Sequence, residues 1–192
     1  MRRIFLALAV VSVLAGCNQL QDSNATPSPL AAVTLVGWAD VATEDINVPQ
    51  GVSYTVSDVG GARVVEIAGV PESAASTQKT GGVSVRMSDD FETQAGGAQI
   101  LVTVRAYAAQ DGALLGAAYS TNDFGNSGWY QFRLTQTPAD YHFVYNVPAK
   151  RAGGGDYLGF RSYGDSRVQV AGFRVEVLPN AASAAPLREL TE

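Results

Sequence analysis

The residue types that most often carry enzyme chemistry are sparse in this chain of 192 residues. His142 is its one histidine and Cys17 its one cysteine, so these residues cannot form a zinc-binding cluster. No Ser-His-Asp arrangement has support in the sequence either. A lone histidine between Tyr141 and Phe143, in an alternating segment, is more often a surface or hydrogen-bonded residue than a catalytic base. We therefore expect no catalytic residues, no cofactor and no enzyme activity.

Carboxylates are most concentrated at Asp89, Asp90 and Glu92. Glycoside hydrolysis needs two carboxyl groups on opposite sides of a glycosidic bond, and neighbours in one polar turn do not reach both sides. Ser88 precedes these acids, which predicts a capped helical turn over 88–93 and a role in capping or solvation. No EF-hand spacing is present, so the ligands of any structural calcium stay unassigned. Acids in plausible loops include Asp40, Glu44, Asp45, Asp156 and Asp165.

The first 17 residues have the pattern of a bacterial lipoprotein signal. Arg2 and Arg3 precede an apolar run over 4–14, and Leu-Ala-Gly-Cys ends the segment at Cys17. This run is shorter than the roughly 20 apolar residues that span a membrane. Small residues before a cysteine fit the lipoprotein peptidase, and the thiol accepts the lipid that anchors the chain. Asn18 is not the aspartate that favours inner-membrane retention, so we expect a lipid anchor in the outer membrane, facing the periplasm.

The chain is acidic, with a formal net charge of −5 at pH 7, and loss of Arg2 and Arg3 with the signal makes it more acidic. Nucleic-acid binding relies on clustered Lys and Arg, and no basic run occurs here. With Cys17 as the single cysteine, the folded part has no disulfide. We expect one domain that is stable without a disulfide, and no nucleic-acid partner.

Apolar residues alternate with a period of two between a polar segment at 18–32 and an Ala-rich one at 180–192. Gly, Pro, Asn and Asp interrupt the alternation, which is typical of short strands joined by turns. Many short strands in one domain close into a sandwich or barrel, because closure protects the strand edges. The predicted strands are 33–41, 52–56, 63–68, 83–87, 100–108, 113–119, 129–135, 141–147, 157–163 and 168–178.

Alternation also predicts which side chains face the core. The expected core includes Trp38, Val83, Val85, Met87, Ile100, Val102, Val104, Ala106, Tyr130, Phe132, Leu134, Leu158 and Phe160. If the strands share one sheet, the side chains on its open face are Arg86, Arg105, Tyr107, Trp129, Gln131, Arg161 and Tyr163.

This set of outward side chains suits a sugar. The C–H faces of a pyranose stack on aromatic rings, and its hydroxyls hydrogen-bond to Arg and Gln. A second interpretation stays open for each residue. Trp129 either stacks on a ligand or packs on the sandwich, and each arginine either binds a ligand or is solvated or ion-paired.

A more specific pattern lies in the C-terminal half. WYQFRLT at 129–135 is followed by TPADY at 137–141, FVYNVP at 143–148, DYLGF at 156–160 and VAGFRVEV at 170–177. This succession resembles the carbohydrate-binding modules of the galactose-binding-like, jelly-roll type. The resemblance extends over about residues 83–178, and it implies a jelly-roll β-sandwich that binds a glycan. Many proteins use this fold without binding sugar.

Taken together, the sequence predicts an all-β lipoprotein in four parts. These are a signal peptide over 1–16, a tether over 17–32 from lipidated Cys17, a β-sandwich over 33–179 and a flexible tail over 180–192. The predicted function is noncatalytic carbohydrate binding in the cell envelope. Its partners would be a glycan or envelope polysaccharide and, through the lipid, the membrane. The alternative is a structural lipoprotein that binds a protein partner.

Overall fold

The structure, a computed structural model, describes residues 33–34, 37–69, 81–149 and 154–179. The predicted signal peptide over 1–16, the tether that starts at Cys17 and the tail over 180–192 lie outside the described residues. Within the four described ranges, no helix is both long enough and apolar enough to cross a bilayer.

Short strands dominate the chain, as the alternation predicts. They are β1 Val33–Thr34, β2 Ile46–Asn47, β3 Ser53–Val59, β4 Ala62–Ala68, β5 Val83–Arg86, β6 Gln99–Ala108, β7 Leu114–Ser120, β8 Tyr130–Arg133, β9 Ala139–Asn146, β10 Tyr157–Ser162 and β11 Arg167–Val177. One α-helix, α1, spans Asp89–Ala95, and 3-10 helices span Trp38–Asp40, Thr43–Asp45 and Asn122–Phe124.

Two antiparallel sheets pack face to face. The first has six strands in the order β3-β4-β11-β6-β9, with β1 paired to β11, and the second has five in the order β2-β5-β10-β7-β8. Neighbours in each sheet are mostly distant in sequence, so long-range pairing rather than simple hairpins builds both sheets. The protein is an all-β jelly-roll sandwich, which confirms the predicted fold class.

The core lies between the sheets and follows the predicted alternation. Ile100, Val102, Val104 and Ala106 of β6 are fully buried, and so are Leu158 and Phe160 of β10. Burying each large apolar side chain contributes about 1.5–3 kcal/mol.

Tyr130 departs from the core prediction because it is 37% exposed. It lies on β8, the edge strand of its sheet, and its ring stacks on Phe143 of β9 at 4.4 Å between centroids. At a sheet edge, the inward side of a strand has core neighbours on one flank only. The Tyr130 ring therefore closes the gap between the sheets while its outer surface meets solvent.

A bulge in β11 explains why two core residues three positions apart both face inward. The pairing of β11 with β6 shifts between Val170 and Gly172. Val170 and Phe173 are consequently both buried, although strict alternation would place them on opposite sides.

Trp38 occupies the core as predicted, although the predicted strand around it is wrong. The strand ends at Thr34, and Trp38 begins a 3-10 helix. Its indole Nε1 donates a hydrogen bond of 2.9 Å to the carbonyl of Val170, and its ring packs 5.0 Å from Phe173.

The predicted helix cap is confirmed at α1. Ser88 Oγ accepts a hydrogen bond from the Phe91 amide at 3.3 Å, which satisfies one of the free donors of the first turn. The helix runs to Ala95, two residues further than predicted, and Phe91 and Ala95 are buried on one side of it.

Candidate functional site

The seven predicted site residues belong to two different sheets. Arg105 and Tyr107 lie on β6 of the six-stranded sheet. Residues associated with the five-stranded sheet are Arg86 on β5, Trp129 before β8, Gln131 on β8, Arg161 on β10 and Tyr163 after β10. The prediction of one shared open face is therefore wrong for Arg105 and Tyr107. Alternation tells which side of its own strand a residue occupies, but the sheet that takes up the strand depends on long-range pairing.

On the outer face of the six-stranded sheet, arginines are matched with carboxylates. Arg105 lies 3.1 Å from Asp140, and both side chains are about half exposed. Further pairs on this sheet are Arg167 with Glu66 at 2.8 Å and Arg174 with Glu176 at 3.0 Å. Exposed pairs of this kind contribute only about 0–1 kcal/mol each. For Arg105, the structure matches the ion-paired interpretation.

The outer face of the five-stranded sheet is built on small residues. One row across the strands is Ala118, Gly159 and Ser84, and the next places Gly116 between Gln131 and Arg161. Ala118, Gly159, Ser84 and Gly116 all have small side chains, the largest being the hydroxymethyl group of the serine. Large rings therefore have room to approach the sheet closely.

Trp129 lies against this floor of small residues. A Cβ added at Gly116 would lie 3.0 Å from Trp129 Cε3 and 3.0 Å from Tyr163 Cε2. One added at Gly82 would lie 2.9 Å from Trp129 Cη2. Gly116 therefore lets both rings approach the backbone closely, and Gly82 does the same for Trp129, where a Cβ would also clash with the Phe160 carbonyl oxygen. Trp129 is partly exposed as a whole residue, so it packs against the sheet and still meets solvent.

Arg161 joins the two rings into a stack. Its guanidinium carbon lies 4.4 Å from the ring centroid of Trp129 and 4.3 Å from that of Tyr163. Its Nη2 donates a hydrogen bond of 2.7 Å to Tyr163 Oη. Cation–π contacts of this kind contribute about 0.5–2 kcal/mol each. We call these three residues the Trp129–Arg161–Tyr163 stack.

Two buried polar atoms near the stack lack hydrogen-bond partners among the described residues. They are Ser84 Oγ and Arg161 Nε. Buried polar groups are nearly always hydrogen-bonded, because an unmade bond costs about 1–3 kcal/mol. Each of these two atoms is therefore buried on the five-stranded face without the hydrogen bond that usually offsets burial.

Gln131 and Arg86 flank the stack with different environments. Gln131 is exposed and is separated from Arg161 by one strand, β7, at Gly116. Arg86 is hydrogen-bonded to Asp89 at 2.7 Å, which raises the pKa of this already cationic group. The amide of Gln131 is thus accessible to a ligand, whereas the charge of Arg86 is paired with Asp89.

A buried polar cluster that the sequence analysis missed lies on the core side. Tyr119 Oη donates a hydrogen bond of 2.7 Å to Asp156 Oδ2, and Asp156 and Glu92 are 0% and 1% exposed. Burial, followed by the nearby Asp156 carboxylate, raises the pKa of Tyr119 far above its ordinary value. Solvation, one of the two roles expected for these acids, therefore does not hold for Glu92. It occupies the buried side of α1, beside Phe91, while Asp89 and Asp90 are exposed as predicted.

The metal-binding residue types and His142 form no further site among the described residues. In the part of the chain that the structure describes, no three His, Cys, Asp or Glu side chains are grouped to hold a metal ion. His142 is an exposed residue of β9, and its Nδ1 lies 3.0 Å from Thr103 Oγ1, as expected for a hydrogen-bonded surface histidine.

Comparison with known proteins identifies the fold. No protein-family model matches the chain, and no curated protein matches it. The CBM22-1 xylan-binding domain of Paenibacillus barcinonensis Xyn10C has a TM-score of 0.53 at 12% identity, over 80% of this chain and 99% of that domain. The CBM22-1 and GH10 modules of Clostridium thermocellum endo-1,4-beta-D-xylanase 10B, complexed with xylohexaose, have a TM-score of 0.52 at 10% identity.

The second of these matches covers 76% of this chain and only 28% of the longer xylanase chain. The structural neighbours are thus carbohydrate-binding modules with a jelly-roll fold. At identities of 10–12% the likeness shows the shared fold.

Proposed function

We propose that this protein is a noncatalytic glycan-binding module that presents the outer face of its five-stranded sheet to a saccharide. The observation that carries the proposal is the Trp129–Arg161–Tyr163 stack. It holds a guanidinium against two partly exposed aromatic residues on the outer face of the sheet. Ligand sites typically combine apolar or aromatic surface with a few fixed polar groups.

The chemistry of the stack fits a pyranose ring. The C–H groups on one side of the sugar contact an aromatic ring, and its hydroxyls hydrogen-bond to planar donors. Arg161 supplies such donors from within the stack, and the exposed Gln131 adds an amide across Gly116. Arg105 and Tyr107, on the opposite sheet, are not part of this proposed site.

The fold comparison supports the proposal. A structural neighbour is described as a xylan-binding domain, and another was solved with xylohexaose. Neither description assigns a sugar to this chain. Contacts with one or two rings, less the cost of immobilising the sugar, should give an affinity of roughly micromolar to millimolar.

A glycan panel tests this function. We expect the full chain, held in mild detergent, to bind at least one oligosaccharide and to change its tryptophan fluorescence. The chain has two tryptophans, and Trp38 is 1% exposed, so the change reports mainly on Trp129. Trp129→Ala should weaken binding at least about tenfold, because it removes the ring from the stack.

The matched control is Arg105→Ala on the opposite sheet, which should leave binding unchanged. Circular dichroism melting shows whether each variant is folded. The proposal is contradicted by a silent panel, or by a folded Trp129→Ala variant that binds as tightly as the native chain.

We also propose that lipidated Cys17 anchors the module to the outer membrane, facing the periplasm. The support is the signal pattern that ends in Leu-Ala-Gly-Cys. Cells fed a palmitate analogue should label the native chain and leave Cys17→Ala unlabelled. Equal labelling of both chains would contradict the anchor, and fractionation of the labelled cells tests the membrane.

A second candidate function is docking of a protein partner, and the edge strand β3 favours it. Val56 and Val59 are 46% and 53% exposed there. An edge strand with uncovered apolar side chains is a common site for pairing with another chain. Loss of a co-purifying envelope protein in Val56→Lys, with glycan binding intact, would favour this role.

A further inference from the structure

The guanidinium of Arg161 has different partners from those of the other described arginines. In the ranges that the structure describes, the arginines paired with a carboxylate are Arg86, Arg105, Arg167 and Arg174. Arg63 and Arg133 donate instead to backbone carbonyls. Arg161 donates to the hydroxyl of Tyr163 and contacts two ring faces.

The stack holds the guanidinium of Arg161 in place but leaves most of its N–H donors without a hydrogen-bond partner in the described part of the chain. Of the five N–H donors of Arg161, only the one on Nη2 that reaches Tyr163 has a partner among the described residues. Nε is buried and therefore sealed from a ligand. Because the two rings lie close to the guanidinium carbon, a ligand would reach Arg161 at its terminal nitrogens. The ring contacts and the bond to Tyr163 fix the orientation of these nitrogens.

A fixed guanidinium with free terminal donors suits an anion better than a neutral hydroxyl. Carboxylates and ester sulfates accept two parallel N–H bonds from arginine, and such charge-assisted bonds are about twice as strong as neutral ones. A hydroxyl would leave the positive charge without a counter-ion. No carboxylate of the described residues pairs with Arg161, although the chain as a whole is acidic, at −5.

We propose that the glycan bound by the Trp129–Arg161–Tyr163 stack carries an anionic sugar, whose carboxylate or sulfate lies against the terminal nitrogens of Arg161. This inference rests on the proposed function and names its ligand class. Trp129 or Tyr163 supplies the stacking surface for the sugar ring, and Gln131 supplies a hydrogen bond to a hydroxyl.

Matched pairs of polysaccharides test the charge alone. Polygalacturonate, alginate and a glucuronoxylan are each compared with the same polymer after reduction of its carboxyl groups. A sulfated galactan is compared with its desulfated form. We expect the full chain in detergent to bind at least one acidic polymer at least tenfold more tightly than its neutral counterpart. Preference in the uronate pairs identifies a carboxylate, and preference in the galactan pair alone identifies a sulfate ester.

Substitutions at matched arginines locate the effect. Arg161→Gln should abolish the preference for the acidic polymer, and Arg161→Lys should keep only part of it, because an ammonium cannot form the bidentate pair. Arg105→Gln, the same change on the opposite sheet, should keep the preference. Melting curves identify any variant that fails to fold, and the native chain with the matched polymers decides the question without any substitution.

The possible failures are distinguishable. Equal binding of acidic and neutral polymers by the native chain overturns the anionic ligand and keeps the proposed glycan binding. A preference that survives in folded Arg161→Gln overturns the role of Arg161. Absence of binding to every polymer, charged and neutral, overturns the proposed function together with this inference.

Discussion

The two outer faces of the sandwich present similar residue types in different states. On the six-stranded face, Arg105 and Arg174 lie within ion-pair distance of carboxylates. On the five-stranded face, Arg161 lies between two aromatic rings and leaves most of its donors unused. An arginine that faces outward is therefore not enough to mark a binding site. The two faces differ in whether the fold places a carboxylate beside the outward arginine.

The difference follows from the neighbours on each sheet. Asp140 lies opposite Arg105 in the pairing of β9 with β6, so a counter-charge is built into the register. Gly116 lies opposite Arg161 in the pairing of β7 with β10, so the neighbouring strand offers space instead of charge. Trp129 and Tyr163 occupy that space. Arg105, Arg167 and Arg174 of the six-stranded face thus have carboxylate partners within the fold, whereas Arg161 has none among the described residues.

Of the substitutions that test the difference between the two faces, a larger side chain at Gly116 should have the largest effect. Gly116→Val places side-chain atoms where Trp129 and Tyr163 lie, so the rings must move off the floor. We expect loss of detectable glycan binding and a drop of about 1–3 kcal/mol in the free energy of unfolding. Urea unfolding and the glycan panel measure the two effects.

Gly37→Ala is the control, since nothing lies within 4 Å of a Cβ at this position and its backbone is extended. It should change neither measurement appreciably. A Gly116→Val protein that binds sugar normally would show that the floor is not needed.

Removing charge from the six-stranded face should have the smallest effect. In a double-mutant cycle of Arg105→Gln and Asp140→Asn, we expect a coupling free energy of about 0–1 kcal/mol, because both side chains are exposed. Glycan affinity should stay within experimental error in all three variants. A large loss of affinity would move the binding site to this face.

Much of the fold was predictable because alternation is a local property. Val102 and Val104 are buried on β6, and Ser88 caps α1, as their spacing predicts. These features depend on neighbours within a few residues. The resemblance in the C-terminal half added the jelly-roll topology, which local patterns alone do not specify.

The site was only partly predictable because it depends on which strands become neighbours. Arg105 and Arg161 both face outward, as predicted, but their strands join different sheets. The burial of Glu92 and Asp156 also depends on tertiary contacts, since a carboxylate in a polar turn or loop looks solvated from sequence. Glycines at 116 and 82 were the available clue, because small residues within or beside a strand permit close approach of a ring.

The most direct test of this account is chemical-shift mapping by NMR on the isotope-labelled full chain in detergent, titrated with the tightest-binding oligosaccharide of the panel. The account predicts that the largest amide shifts fall on Gln131, Arg161 and Tyr163 of the five-stranded face. Shifts concentrated at Arg105, Asp140 and Arg174, with none on the five-stranded face, would contradict it.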